Sequence, residues 1–279
     1  MSEPLRLNHL YRVVDAETFA AARDSAWLRE VFAPSELRTT TRPDWAYTGL
    51  YWYGTATYFE LFEAGAQGPA GSTGVAFAVE TAGATAPLAA HWRQTFGAAS
   101  SRIVVRPIGD EAPVPWFQMT HAEPDRLDRL HLWAMEYHAD FLAAWHASET
   151  MARGITRAEV LERYTRVVDG PVDPLLDDVL GVTLALTADE RDFFARHLAA
   201  FDESSAPAVA HGVGHGPADV VQGDGITFAL ADATAASRGV QEIVCRLRRA
   251  VAPQTLVVGR STVDVDGDRL VWTFRDQPL

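Results

Sequence analysis

Leu7-Asn8-His9-Leu10-Tyr11-Arg12-Val13-Val14 and Thr57-Tyr58-Phe59-Glu60-Leu61-Phe62-Glu63 decide how this chain is read. Both runs are rich in aromatic and β-branched residues and alternate along their length, the pattern of half-buried strands. Between them, Ala16 to Phe32 has a helical pattern that Pro34 ends, and Tyr47 to Tyr53 reads as another strand. Arg38 to Arg42 is either a short edge strand or a loop. The unit is therefore β-α-β-β, with a further strand optional. Strand side chains repeat with period two, so His9, Tyr11 and Val13 share one face, as do Tyr58, Glu60 and Phe62. Phe59 and Leu61 point the other way, under the helix. If the sheet curls into a cup, His9 and Glu60 both point into it, and a histidine with a carboxylate on a concave face suits a divalent metal. The plainer reading is that His9 hydrogen-bonds a neighbouring carbonyl and Glu60 pairs with Arg12, Arg38 or Arg102.

This arrangement resembles the βαβββ module of the vicinal oxygen chelate (glyoxalase-like) superfamily. There the first strand of a module opens with a metal-ligand histidine, and the last carries glutamate in a pattern like Phe59-Glu60-Leu61. The sequence is also similar to actinobacterial DUF5829 proteins, which are glyoxalase-like and have no assigned chemistry. The resemblance implies an α+β fold: repeated βαβββ modules forming cupped mixed sheets, with a helical insertion.

Composition bounds the rest. The 279 residues, 48% of them hydrophobic, provide ample core for one large or two smaller domains. A net charge of −13 opposes sequence-independent nucleic-acid binding and favours solubility. Every cationic side chain is arginine. Without lysine, Schiff-base chemistry and a P-loop are excluded. Cys245 stands alone, so neither an internal disulfide nor a thiolate zinc cluster can form. No apolar run approaches the roughly 20 residues of a membrane span. Met-Ser-Glu-Pro at the start lacks signal-peptide character, so a cytoplasmic protein is expected.

After a Gly/Pro/Ala linker, Ala64 to Ser72, the pattern restarts. Gly74 to Glu80 reads as a strand, Ala86 to Phe96 as a helix, and Arg102 to Pro107 and Val114 to Thr120 as strands. This is the second module that the resemblance calls for. It departs from the family at both ligand positions: Gly74, Ala76 and Ala78 leave space where a histidine is expected, and Gln118 stands where a second glutamate is expected. The inherited metal site is then His9, Glu60 and Gln118, completed by water, with the ion's identity open. Three protein ligands plus water is the form of a catalytic site. Loss of ligands is equally how such a fold becomes a metal-free binder.

Glu123-Pro124 is predicted to open a long helix to about Ala147, with Leu127, Leu130, Ala134, Tyr137, Phe141 and Trp145 as its buried stripe. His131, His138 and His146 lie beside it. At about 1.5 Å rise per residue, His131 and His138 fall some 10 Å apart, too far for one ion, so each faces either the cup singly, as a general base or a ligand hydrogen bond, or solvent. A helix from Thr156 to Val168 follows, with a Thr156/Glu159 capping box. Asp173, Asp177 and Asp178 lack the spacing of an EF-hand. The last third is predicted as strands at 181–186, 225–230, 256–259 and 269–274 with helices at 188–201 and 240–249, and with Asp266-Gly267 as a hairpin turn. His211 and His215 sit in a glycine-rich loop with no helix to align them. The expected organisation is a module pair over 1–122, a helical connector over 123–178 and a diverged glyoxalase-like domain over 179–279.

Two functions fit. The first is a metal-dependent isomerase, lyase or oxygenase. His9 and Glu60 would hold the ion, and His138 or Tyr11 would move a proton. The second is a metal-free binding or sequestering protein. Five of the nine residues from Trp45 to Tyr53 are aromatic, which marks either a pocket wall or ordinary sheet core. Trp45, Tyr47, Trp52, Tyr58 and Trp116 are the candidate ligand contacts. Either way the expected partner is an apolar or aromatic small molecule, with no nucleic acid and no membrane; a homodimer is left open.

Overall fold

The computed structural model describes residues 3–41, 46–106, 112–141, 155–201 and 219–275. Its first module runs β1 (Leu7–Val14), α1 (Ala16–Asp24), β2 (Ser35–Thr41), β3 (Ala46–Tyr53) and β4 (Tyr58–Glu63). Asp15 caps α1 by accepting the Thr18 N–H, and a single π turn, Leu28–Phe32, carries the chain on toward β2. The predicted helix over 16–32 is thus shorter and broken at Ser25. β2 is an edge strand, which resolves the open choice at Arg38.

The second module runs β5 (Thr73–Val79), α2 (Thr85–Phe96), β6 (Ala99–Arg106), β7 (Val114–Ala122), β8 (Arg126–Leu127) and β9 (Leu130–Tyr137). The two modules join into one nine-stranded mixed sheet in the order β2-β3-β4-β1-β5-β9-β7-β6, with β8 pairing β9. β1 is parallel to β4, β5 is parallel to β9, and the modules meet at the antiparallel pair β1·β5. This is the paired βαβββ topology of a glyoxalase-like α+β fold.

The predicted helix from Glu123 is a correction, since its described part is mostly strand. Leu130, Leu132 and Ala134 are buried on one face of β9, while Trp133, Met135 and Tyr137 are buried on the other. A strand covered on both faces reads as one apolar run, which a helix stripe mimics. Residues 142–147 of that stretch, His146 among them, lie outside the described residues. The other connector helix is as expected: α3 (Arg157–Val167) has the complete Thr156/Glu159 capping box.

The remaining strands are β10 (Leu176–Leu186), β11 (Asp219–Gly223), β12 (Ile226–Asp232), β13 (Gly239–Val258) and β14 (Ser261–Thr273), with α4 (Ala188–Leu198) after β10. They form a five-stranded sheet ordered β11-β12-β10-β13-β14, with β10 parallel to β12. β10-α4-β11-β12 repeats the module's opening theme. The second half of this sheet is a long hairpin, where a helix was predicted over 240–249. Its strand character is visible in the burial of Ile243, Cys245 and Leu247 against exposed Arg246 and Arg248. Val258 pairs with Ser261, so the hairpin closes at Gly259-Arg260, with Gly259 at φ 59°, and not at Asp266-Gly267. Gly267 lies within β14 opposite Val251.

Period-two alternation sorts the large sheet into two faces. Leu10, Trp52, Phe59, Leu61, Val75 and Phe77 face the five-stranded sheet and its helix, packing with Val182, Phe194, Phe228 and Trp272. Trp272 sits 5.4 Å from Trp52 and 5.8 Å from Phe59, centroid to centroid. Arg12 crosses this interface fully buried, donating from Nη1 to the carbonyls of Arg238 (3.0 Å) and Val240, with its guanidinium over Phe274. Beside this core, His197 is fully buried between Phe96 and Phe193, where its Nδ1 lies 2.8 Å from the Phe193 carbonyl oxygen. Burial pushes its pKa down to about 4. The opposite face of the large sheet carries Tyr11, Tyr51, Tyr53, Tyr58, Phe62, Trp133, Met135 and Tyr137, and α3 covers one end of it through Val160, Leu161 and Tyr164.

Candidate functional site

The uncovered part of that second face is a cavity of about 400 Å³. Its floor comes from the central strands. His9 on β1 stacks on Tyr58 of β4 (4.4 Å, 16°) and meets Trp133 of β9 edge-on at 5.3 Å. The Asn8 amide oxygen lies 2.8 Å from His9 Nδ1. An amide oxygen only accepts, so Nδ1 carries the proton and Nε2 keeps its lone pair. Nε2 faces Glu60 Oε1 at 3.7 Å. Burial pushes His9 down to about 3 and Glu60 up to about 8, with the Arg38 charge lowering both. At neutral pH the pair is therefore an uncharged imidazole facing a protonated carboxyl group.

The walls are aromatic. Phe62 contacts Tyr11, Tyr47 and Tyr51 edge-on at 5.5, 5.5 and 6.2 Å. Tyr11 leans across β5 toward β9, and Gly74 is what allows it: a Cβ there would lie 2.0 Å from the Tyr11 ring. The space expected at Gly74 is thus filled by Tyr11. On the far side, His131 stands 4.4 Å from Trp133, and its Nε2 lies 3.2 Å from Asp125 Oδ2. The His131 ring beside it holds Asp125 down to about 2, and burial lowers the His131 pKa.

Among the residues singled out from the sequence, His9, Tyr11, Tyr47, Tyr58, Glu60 and Trp116 line the cavity together. Three others do not. Trp52 faces the inter-sheet core, because alternation sends Tyr51 and Tyr53 into the cup and Trp52 out. Gln118 pairs in register with Glu136, and cross-strand partners share a face. The Glu136 carboxylate accepts from the Gly83 and Thr85 N–H groups at the start of α2, so Gln118 belongs to the helix-covered side. His138 lies past the end of β9, with Nδ1 3.5 Å from Asp140. Trp45 is outside the described residues. Sequence reasoning did not pick Trp133 or Asp125, and it weighed His131 only as a helix histidine that faces either the cup singly or solvent. The alternation of His131, Trp133 and Met135 against Leu130, Leu132 and Ala134 was the available signal.

A family model covers the site and nearly the whole chain, matching residues 7–274. The chain belongs to DUF5829, a family of unknown function. A search of curated proteins returns no match. Three solved structures to which this DUF5829 chain is similar can be named. One is a xylose isomerase-like TIM barrel/4-hydroxyphenylpyruvate dioxygenase fusion protein, with 16% identity, TM-score 0.42, and 86% of this chain against 35% of that one covered. The second is BphC, a halotolerant catechol dioxygenase, with 9% identity, TM-score 0.43 and 98% and 85% covered. The third is a Mn(II)-bound glyoxalase from Novosphingobium aromaticivorans, with 8% identity, TM-score 0.38 and 94% and 77% covered. The DUF5829 chain spans 35% of the length of the fusion protein.

Whether this family member's own residues fit a divalent metal can be tested on its donors. A catalytic centre of this type takes three protein ligands. Two converge here, His9 Nε2 and Glu60 Oε1. Gly74 brings no donor, its space is taken by the Tyr11 ring, and Gln118 lies on the other face. Among the described residues no three His, Cys, Asp or Glu side chains come together in a metal-holding group. The donor set does not fit a three-ligand centre.

Proposed function

We infer that the cup binds a planar, largely apolar aromatic small molecule through its own side chains, without a metal. What carries this reading is the lining. An aromatic-walled cavity of about 400 Å³ ends on an uncharged His9–Glu60 pair. That size and that mixture, apolar walls with a few convergent polar groups, are those of a small-molecule site. Tyr58, Trp133, Tyr11 and Phe62 offer faces and edges on which a flat ring stacks. The Glu60 carboxyl group donates a hydrogen bond to a ligand oxygen, and His9 Nε2 accepts one from a ligand hydroxyl. Binding or sequestration follows from these contacts with no further chemistry.

One observation favours the metal-dependent enzyme reading: the approach of His9 Nε2, its lone pair fixed by Asn8, to within 3.7 Å of Glu60. In that reading the two side chains hold a divalent ion that polarises a substrate oxygen as a Lewis acid. A screen of aromatic compounds against the tryptophan fluorescence of the full chain separates the two. Trp116 and Trp133 line the cavity, so a bound ring alters their emission. Binding that is unchanged by excess chelator is the expected result, and binding abolished by chelator and restored by one metal is the result that overturns it.

A further inference from the structure

The charges at the cup bear on what kind of aromatic molecule it takes. β2 and β6 are the two edge strands of the nine-stranded sheet, and its curl brings both to one cavity. Each contributes an arginine to the lining, Arg38 from β2 and Arg102 from β6. Arg38 is held in place: its guanidinium lies 4.0 Å from the Tyr51 ring centroid, and Nη1 donates to Glu36 Oε1 at 2.9 Å. Arg102 has no ion pair among the described residues. Its Nη2 donates to Sδ of Met119, its cross-strand partner on β7, at 3.4 Å, and Met119 itself lines the cavity, so the guanidinium lies at the rim of the cup on its inner side. A thioether is a weak acceptor, which leaves the fork of Arg102 open for a better one. Of the lining acids, Glu60 faces the uncharged His9 ring and brings no negative charge, and Asp125 lies 3.2 Å from His131. A cationic ligand would meet two guanidinium groups. An anionic one is drawn in, even by a chain of net charge −13.

We propose, resting on the metal-free cup reading above, that the ligand is a planar aromatic carboxylate whose ring lies against the tyrosine and tryptophan wall and whose carboxylate sits between Arg38 and Arg102. Guanidinium and carboxylate match as a planar two-point contact, which a neutral amide cannot reproduce. The ring supplies the apolar burial, and the two edge-strand arginines supply selection for the anion.

Calorimetric titration of the full chain with naphthoate and with naphthamide tests this, because the two probes share a ring system and differ in charge. Naphthoate is expected to bind about tenfold more tightly, with a preference that shrinks as salt rises. In Arg102→Gln the ratio of the two affinities falls toward one, and in Arg102→Lys part of it returns. Equal affinities in the wild type, or an unchanged ratio in Arg102→Gln, would overturn the proposal. Failure of both probes to bind would strike instead at the cup reading on which it rests, and would take the proposal with it.

Discussion

Gly74→Ala is expected to destabilise the fold by about 2 to 3 kcal/mol, the scale of an overpacked core site. The reverse holds for most strand glycines, where alanine removes unfolded-chain entropy and stabilises by about 0.5 to 1 kcal/mol. Gly74 differs because its missing Cβ is where the Tyr11 ring lies, at 2.0 Å, and moving that buried ring aside would break its edge contact with Phe62. Tyr11→Ala alone leaves a cavity and costs about 3 kcal/mol or more, as for other buried aromatics. In the double variant the alanine methyl enters space that the ring has vacated. The two losses then fall short of their sum by at least about 1 kcal/mol, the signature of residues in contact. Gly181 is the control: a Cβ there meets Val244 at an ordinary 3.5 Å, so Gly181→Ala should be neutral or mildly stabilising. Urea denaturation of the four variants checks the set. Additive losses at Gly74 and Tyr11 would mean that the ring does not occupy the β5 gap.

Glu60→Gln is expected to remove a loss of stability that runs from pH 4.5 to about 8. In the folded state the Glu60 pKa is raised from 4.5 to about 8, chiefly by burial. Between those values the folded protein holds a proton that the unfolded chain has lost, so stability falls as pH rises from 4.5 to 8. Each pH unit across that window removes about 1.4 kcal/mol, and the whole window a few kcal/mol. The groups facing Glu60 are His9, Tyr11, Tyr51, Tyr58, Tyr137, Arg38 and Glu36. The histidine is uncharged throughout this window and the tyrosines are pushed above their usual range. Glutamine keeps the size and loses the charge. Thermal melts should therefore show the variant gaining on the wild type from pH 4.5 to about 8 and running parallel to it above that. The acid side belongs to other groups. His197 and His9 have folded pKa values lowered to about 4 and about 3, so their contribution is present above 6.5 and is lost as pH falls through those values. That limb should survive in Glu60→Gln. Parallel melting curves for the two proteins between pH 4.5 and about 8 would show that Glu60 is already ionised in the folded state there.

The strands that lay down His9 and Glu60 could be read because each has one face toward the cup and one toward the second sheet. Period two was therefore written in aromatic and aliphatic residues. β9, buried on both faces like β1, hid because Leu127, Leu130, Ala134 and Tyr137 fall by coincidence at helical intervals. That coincidence displaced the end of the second module from β9 to β7. It promoted Gln118, which faces α2, passed over Trp133 and put His131 on a helix, although both line the cup with His9. Trp52 could have been sorted by alternation from Tyr51 and Tyr53, since only one of the two faces can line a cup. The Gly74 position could not. A glycine in a strand signals that something approaches closely, but only the fold says that the visitor is Tyr11 rather than a metal or a ligand.

A cup that works through its own side chains is tested most directly by elemental analysis of the untagged full chain beside His9→Ala and Glu60→Gln. The expected result is no transition metal that tracks these two residues, with or without reconstitution, because two donors converge where three are needed. Near-stoichiometric metal in the wild type that disappears in both variants would contradict it.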